Sequence, residues 1–225
     1  MLRPLIAAGI VAAACVAPAS ADVLYSYDDG QLDSAVGPPS SFPENPEMGW
    51  GNYFEAQPQG ELIHTIQVSI GPTMPNLGPV TVWLFDDPDN DFNPGNAVPL
   101  TSATLTPTTI GGSFFTEFAI EPTEVSGGFF VMAATVAVAG EDRPAAQDTT
   151  TGVPTDRSWI IYNPARLGID VDDLAGNALF SPAAAITPFD GAWMVRAIGS
   201  PIPEPASAGA LIGLSGLALL RRRRR

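Results

Sequence analysis

The chain has 225 residues, 45% hydrophobic and 15% charged, with one histidine, one cysteine and a formal net charge of −14. Between Asp22 and Ser200 the imbalance sharpens to 23 Asp and Glu against four Arg (Arg143, Arg157, Arg166, Arg196) and no Lys, a net −19. Such a body excludes nucleic acid as a partner, since that binding needs Lys and Arg against phosphates, and disfavours anionic lipid surfaces; with Cys15 the only cysteine, it also lacks disulfides, thiolate zinc sites and thiol catalysis.

The N-terminus reads as a signal peptide over residues 1–21. Met1 to Pro4 form a short positive region, Leu5 to Val16 an apolar stretch, and Ala19 and Ala21 supply the small residues of a signal peptidase site, so the mature chain is expected to start at Asp22. A lipoprotein box ending at Cys15 is the competing reading, with Ala12 where a bulky aliphatic residue is expected.

From Asp22 to Ser200 short β-branched and aromatic runs alternate with Pro, Gly, Asn and Asp. Nine strands are predicted: Val23 to Tyr27, Gly51 to Glu55, Leu62 to Ile70, Val80 to Phe85, Leu100 to Leu105, Ser113 to Ile120, Gly128 to Val138, Ser158 to Tyr162 and Trp193 to Ile198. Leu62, His64, Ile66, Val68 and Ile70 share one face by alternation, as do Phe114, Thr116, Phe118 and Ile120. The run from Gly128 to Val136 is apolar on both faces and reads as a central strand. Residues 140–156 read as a long polar loop, and a helical turn is expected around Val171 to Ala175. The fold class expected is all-β: one antiparallel β-sandwich of jelly-roll type over residues 22–200.

In the acidic loop after Val80 to Phe85, Asp87, Asp89, Asp91 and Asn93 put hard oxygen ligands at alternate positions, as calcium requires of one short loop. The EF-hand pattern is incomplete: Phe92 stands at the turn glycine and Val98 at the closing Glu. A plain solvated turn is the competing reading, because the same residues favour turns without metal.

Trp50, Tyr53 and Trp83 are candidate glycan contacts, since aromatic rings stack on the apolar faces of sugars; core packing competes for each. Catalysis has little to draw on. His64 sits on a strand, no Gly-x-Ser-x-Gly elbow occurs, and adjacent carboxylates on a strand point to opposite faces. The body therefore reads as non-enzymatic.

The C-terminus, residues 201–225, has three parts: Pro203-Glu204-Pro205, the uncharged stretch Ala206 to Leu220, and Arg221, Arg222, Arg223, Arg224 and Arg225. As a helix the middle part is about 22 Å long, short of the ~30 Å hydrocarbon core, and the arginines act as a cytoplasmic stop-transfer. This order of parts resembles the PEP-CTERM sorting signal of exported bacterial proteins. The resemblance covers about 25 residues and implies signal peptidase and an exosortase as processing partners, cleavage near Pro203-Glu204-Pro205, and a transient stay in the inner membrane. It also implies a mature form at the cell surface or in an exopolysaccharide matrix. An ordinary retained anchor is the alternative. For the body itself the first role expected is a non-catalytic surface or matrix protein; the second is a lectin-like polysaccharide-binding module, with or without calcium, and the third a carboxylate-based enzyme acting on glycans.

Overall fold

A computed structural model of the chain describes residues 21–42, 45–74, 78–150, 157–163, 168–180 and 191–203. Residues 1–20 of the expected signal peptide (1–21), Glu204, Pro205, the 206–220 stretch, the Arg221 to Arg225 cluster and Arg166 lie outside the described residues. Among the described residues no helix is long and apolar enough to cross a membrane.

Fourteen strands form among the described residues: β1 (Val23–Tyr25), β2 (Ser34–Val36), β3 (Glu47–Glu55), β4 (Leu62–Val68), β5 (Ile70–Thr73), β6 (Val80–Asp87), β7 (Val98–Leu105), β8 (Thr116–Glu124), β9 (Gly128–Val136), β10 (Arg143–Asp148), β11 (Ser158–Tyr162), β12 (Ala178–Phe180), β13 (Ala192–Trp193) and β14 (Val195–Ser200). Two 3-10 turns, Pro94–Asn96 and Leu174–Gly176, complete the set. Every strand pairing is antiparallel.

One layer is a six-stranded sheet in the order β12-β11-β3-β9-β6-β7, and the other contains β1-β14-β4-β8 and β13-β10-β2, with β5 also on β10. The β4–β14 pair opens at Ser69 and Met194 and forks against the flank of β10. On one side of the fork Ile70 lies opposite Ala145; on the other Trp193 lies opposite Gln147. The Met194 N–H donates to Ala146 O (3.0 Å), and Met194 O accepts the Ser69 N–H (2.9 Å), so the fork keeps its backbone bonds.

Between the layers the main core gathers Met48, Trp50, Phe54, Val82, Leu84, Phe129 and Val131 against Tyr25, Ile63, Ile66, Val68, Phe118 and Val195. The outer face of the six-stranded sheet carries a second cluster of Tyr53, Phe85, Ala97, Phe130, Met132, Ile161 and Leu174. Burial on both faces explains why β9 is apolar from Gly128 to Ala134, as a central strand must be.

Asn52 crosses between the layers. It is fully buried on β3, donates from Nδ2 to Trp193 O (2.7 Å) and Val195 O (2.9 Å), and accepts from Ser158 Oγ (2.8 Å). It thus satisfies carbonyls beside the fork from the opposite sheet.

Several expectations need correction. Residues 140–156 contain β10, whose RPAAQD sequence has no β-branched residue; Pro144 fits because the register with β5 shifts there, freeing the strand from a ladder donor. The Leu62–Ile70 alternation fails at His64, where the β4–β8 register shifts. As a result Ile63, rather than Leu62 or His64, enters the core with Ile66 and Val68. β8 starts at Thr116, leaving Phe114 66% exposed. The expected helical turn is the 3-10 turn Leu174–Gly176.

Candidate functional site

The acidic loop lies between β6 and β7, over the outer face of the six-stranded sheet. Asp87, Asp89 and Asp91 each bring a carboxylate oxygen within 4.8 Å of the others. Asp87 is only 3% exposed and its Oδ1 has no hydrogen-bond partner, while its Oδ2 accepts the Phe92 N–H at 3.3 Å. Burial, and then the neighbouring Asp89 and Asp91, push the Asp87 carboxyl above its ordinary range; the Asn96 amide (2.8 Å) holds exposed Asp89 below it. Asn93, the fourth expected ligand, instead turns its Oδ1 to the Gly95 N–H (3.0 Å) and caps the first 3-10 turn.

Phe92 has φ of 69°, left-handed backbone that bulky residues rarely adopt. It therefore takes the conformation that glycine supplies at the same place in an EF-hand loop. Packing holds it there. The ring sits edge-on to Tyr53 (4.8 Å, 81°) and beneath the Arg157 guanidinium (3.7 Å), which also reaches Tyr53 (4.9 Å) and Glu55 (3.2 Å). Asn90, also left-handed at φ 55°, accepts the Gly128 N–H and ties the loop to β9.

Tyr53 lies across Gly128, where any Cβ would overlap its hydroxyl, so only glycine lets the ring lie flat. The Tyr53 hydroxyl is buried without a partner, and burial, with Asp87 and Glu55 adding to it, raises its pKa to about 12.

Of the three candidate glycan contacts, Trp50 is fully buried in the main core and Tyr53, 2% exposed, is covered by Phe92, so neither ring can stack on a sugar. Trp83 is half-buried against the outer cluster. The sheet needs these rings to fill volume, which a short aromatic run in sequence does not distinguish from a binding face.

Two clefts open elsewhere. One, of about 390 Å³, is lined by Leu24, Tyr27, Phe54, Glu55, Gln57 and Arg157 among others. Tyr27 stacks on Phe54 at 5.0 Å and 24°, and Leu24 is 50% exposed, giving the cleft an apolar wall beside the Glu55, Gln57 and Arg157 polar groups. The other, of about 360 Å³, runs along β2 and is lined by Pro38, Pro39, Asp142, Arg143 and Gln147 among others. Sequence reading missed both: the first joins β1 to residues 54–58 and to Arg157, and the second joins β2 to residues more than a hundred positions on, so only the Tyr27 and Phe54 rings were visible as a signal.

No protein-family model and no curated protein matches the chain. Among solved structures it is similar to the clostridial cysteine protease Cwp84 after propeptide cleavage (TM-score 0.51, 9% identity). It is also similar to a structure of the cysteine protease and lectin-like domains of Cwp84, a surface layer associated protein of Clostridium difficile (TM-score 0.51, 10% identity). The matches cover 80% of this chain but only 40% and 36% of those chains, and at such identity the likeness is one of fold alone.

Proposed function

We propose that the chain is a non-catalytic, exported jelly-roll module that binds polysaccharide at the cell surface or in an extracellular matrix. The observation that carries the reading is the cleft beside β1. It has a half-buried aromatic ring for the apolar face of a sugar and Glu55, Gln57 and Arg157 for its hydroxyls, within the 300–1,000 Å³ range usual for ligand pockets.

Other features support it. The order β1-β14-β4-β8 facing β3-β9-β6-β7 is that of two interleaved Greek keys. The described strands run from Val23 to Ser200, between the expected signal-peptidase site at Ala19 and Ala21 and the expected sorting motif Pro203-Glu204-Pro205. One of the similar structures includes a domain described as lectin-like. A thiol protease reading has no nucleophile here, because the body contains no cysteine.

The route proposed is removal of residues 1–21 by signal peptidase, then exosortase cleavage at the C-terminal signal. For binding, the full chain in detergent is titrated with neutral and acidic polysaccharides. Tyr27→Leu, which keeps apolar volume but loses the ring face, is expected to weaken binding about five- to tenfold, in line with a lost stacking contact of ~1–1.4 kcal/mol. Unchanged affinity in that variant, or no polysaccharide bound by the native chain, overturns the reading.

A further inference from the structure

We propose that the loop after β6 is a calcium site built on Asp87, Asp89 and Asp91. Two independent observations carry it. The first is convergence: three carboxylate oxygens lie within 4.8 Å of one another, about the span between opposite oxygens each ~2.4 Å from a calcium ion. The second is Asp87 itself, 3% exposed, with Oδ1 lacking any partner. A buried carboxylate oxygen without a donor costs stability unless something positive satisfies it, and neither Arg157 nor Arg196 takes that role: the first pairs with Glu55, the second with Asp28.

The chemistry selects the ion. The donors are all hard oxygens, with no histidine or cysteine in the cluster, which suits calcium or magnesium rather than zinc or copper. Three carboxylates leave several coordination positions to water and loop carbonyls. Calcium, accepting six to eight oxygens in flexible geometry, tolerates this better than magnesium, which demands a near-ideal octahedron. The left-handed Asn90, between Asp89 and Asp91, turns the chain within the cluster, and its N–H closes that turn on Asp87 O at 3.2 Å. Without a closing bidentate Glu, affinity should fall in the roughly 10⁻⁴–10⁻³ M range of extracellular modules. Bound calcium then fixes the loop that carries Phe92 against Tyr53 and Arg157.

The test uses the full chain in detergent, melted at constant ionic strength in EGTA, in CaCl₂ and in MgCl₂, with no glycan present, so its failure is separate from that of the binding reading. At calcium tenfold above Kd the folded-to-unfolded ratio should rise about elevenfold, lifting Tm by roughly 3–6 °C. The double variant Asp89→Asn, Asp91→Asn changes only exposed side chains. In EGTA it should melt close to the native chain, because the new asparagine oxygens still accept from the Asn96 amide and the Asn93 N–H, yet it should lose the calcium increment. No increment in the native chain overturns the site, as does an equal increment from magnesium or in the double variant, which would mark general screening of an acidic protein.

Discussion

Asn52 offers a direct measure of what joins the two layers. Replacing it with leucine keeps a similar volume on β3, so no large cavity opens and the effect is that of the lost polar contacts. Two carbonyls, Trp193 O and Val195 O, lose a buried donor, and Ser158 Oγ loses its acceptor. Each buried group left unsatisfied costs about 1–3 kcal/mol, and the Ser158 hydroxyl can turn to another acceptor, so the sum is about 3–5 kcal/mol. For a body of this size that is a fall in Tm of roughly 10 °C. Urea and thermal melts followed by tryptophan fluorescence provide the assay. Ser158→Ala should cost about 1 kcal/mol alone but almost nothing in the Asn52→Leu background, because the two residues share one hydrogen bond. A loss below ~1 kcal/mol for Asn52→Leu, or strict additivity with Ser158→Ala, would refute the bridging role.

Two further predictions concern buried polar groups. Arg196 holds both oxygens of buried Asp28 from Nε (3.0 and 3.1 Å) and lies over Phe115 at 3.9 Å. Arg196→Met should cost about 3–5 kcal/mol in chemical denaturation, and Asp28→Asn in the same chain should restore part of it, since the penalty is an unpaired buried charge. Tyr53→Phe should instead stabilise the protein by about 1 kcal/mol, because it removes a buried hydroxyl without a partner. Its effect depends on pH. The folded phenol ionises at about 12 against the ordinary 10, so its contribution is complete below pH 10 and is lost as pH rises through the folded value. The stability difference between native chain and Tyr53→Phe should therefore widen in favour of phenylalanine between pH 10 and pH 12, and a constant difference counts against the assignment.

The legible part of the fold was the part set by alternation and turn chemistry. Gly128 to Val136 advertised its central place by being apolar on both faces, and Ser158 to Tyr162 matches β11 at both ends. Strand β10 was hidden because its alanines, proline and glutamine are buried by neighbours on both flanks, not by intrinsic strand preference. The break at Ser69 is likewise invisible, since nothing in VSI marks where a partner strand diverges. At the candidate sites, the acidic spacing was readable residue by residue. The left-handed Phe92 was not, because a ring pinned between Tyr53 and Arg157 depends on contacts from β3 and from the residue just before β11. The aromatic candidates misled for the same reason: Trp50 and Trp83 are alike in sequence, and only the sheet decides which faces inward.

The position of β14 sets a schedule for how the protein comes into being. This last strand lies inside its sheet, with β1 on one side and β4 on the other, and Val23 pairs with Gly199. Contacts so distant along the chain close late and slowly, so a nascent polypeptide emerging N-terminus first cannot complete this sheet until residues 195–200 have followed, although the six-stranded sheet needs nothing beyond β12. Until then β1 and β4 present unsatisfied edges that would pair with other chains if left waiting. The high negative charge has a use at that moment, keeping unfinished molecules apart while the final strand arrives.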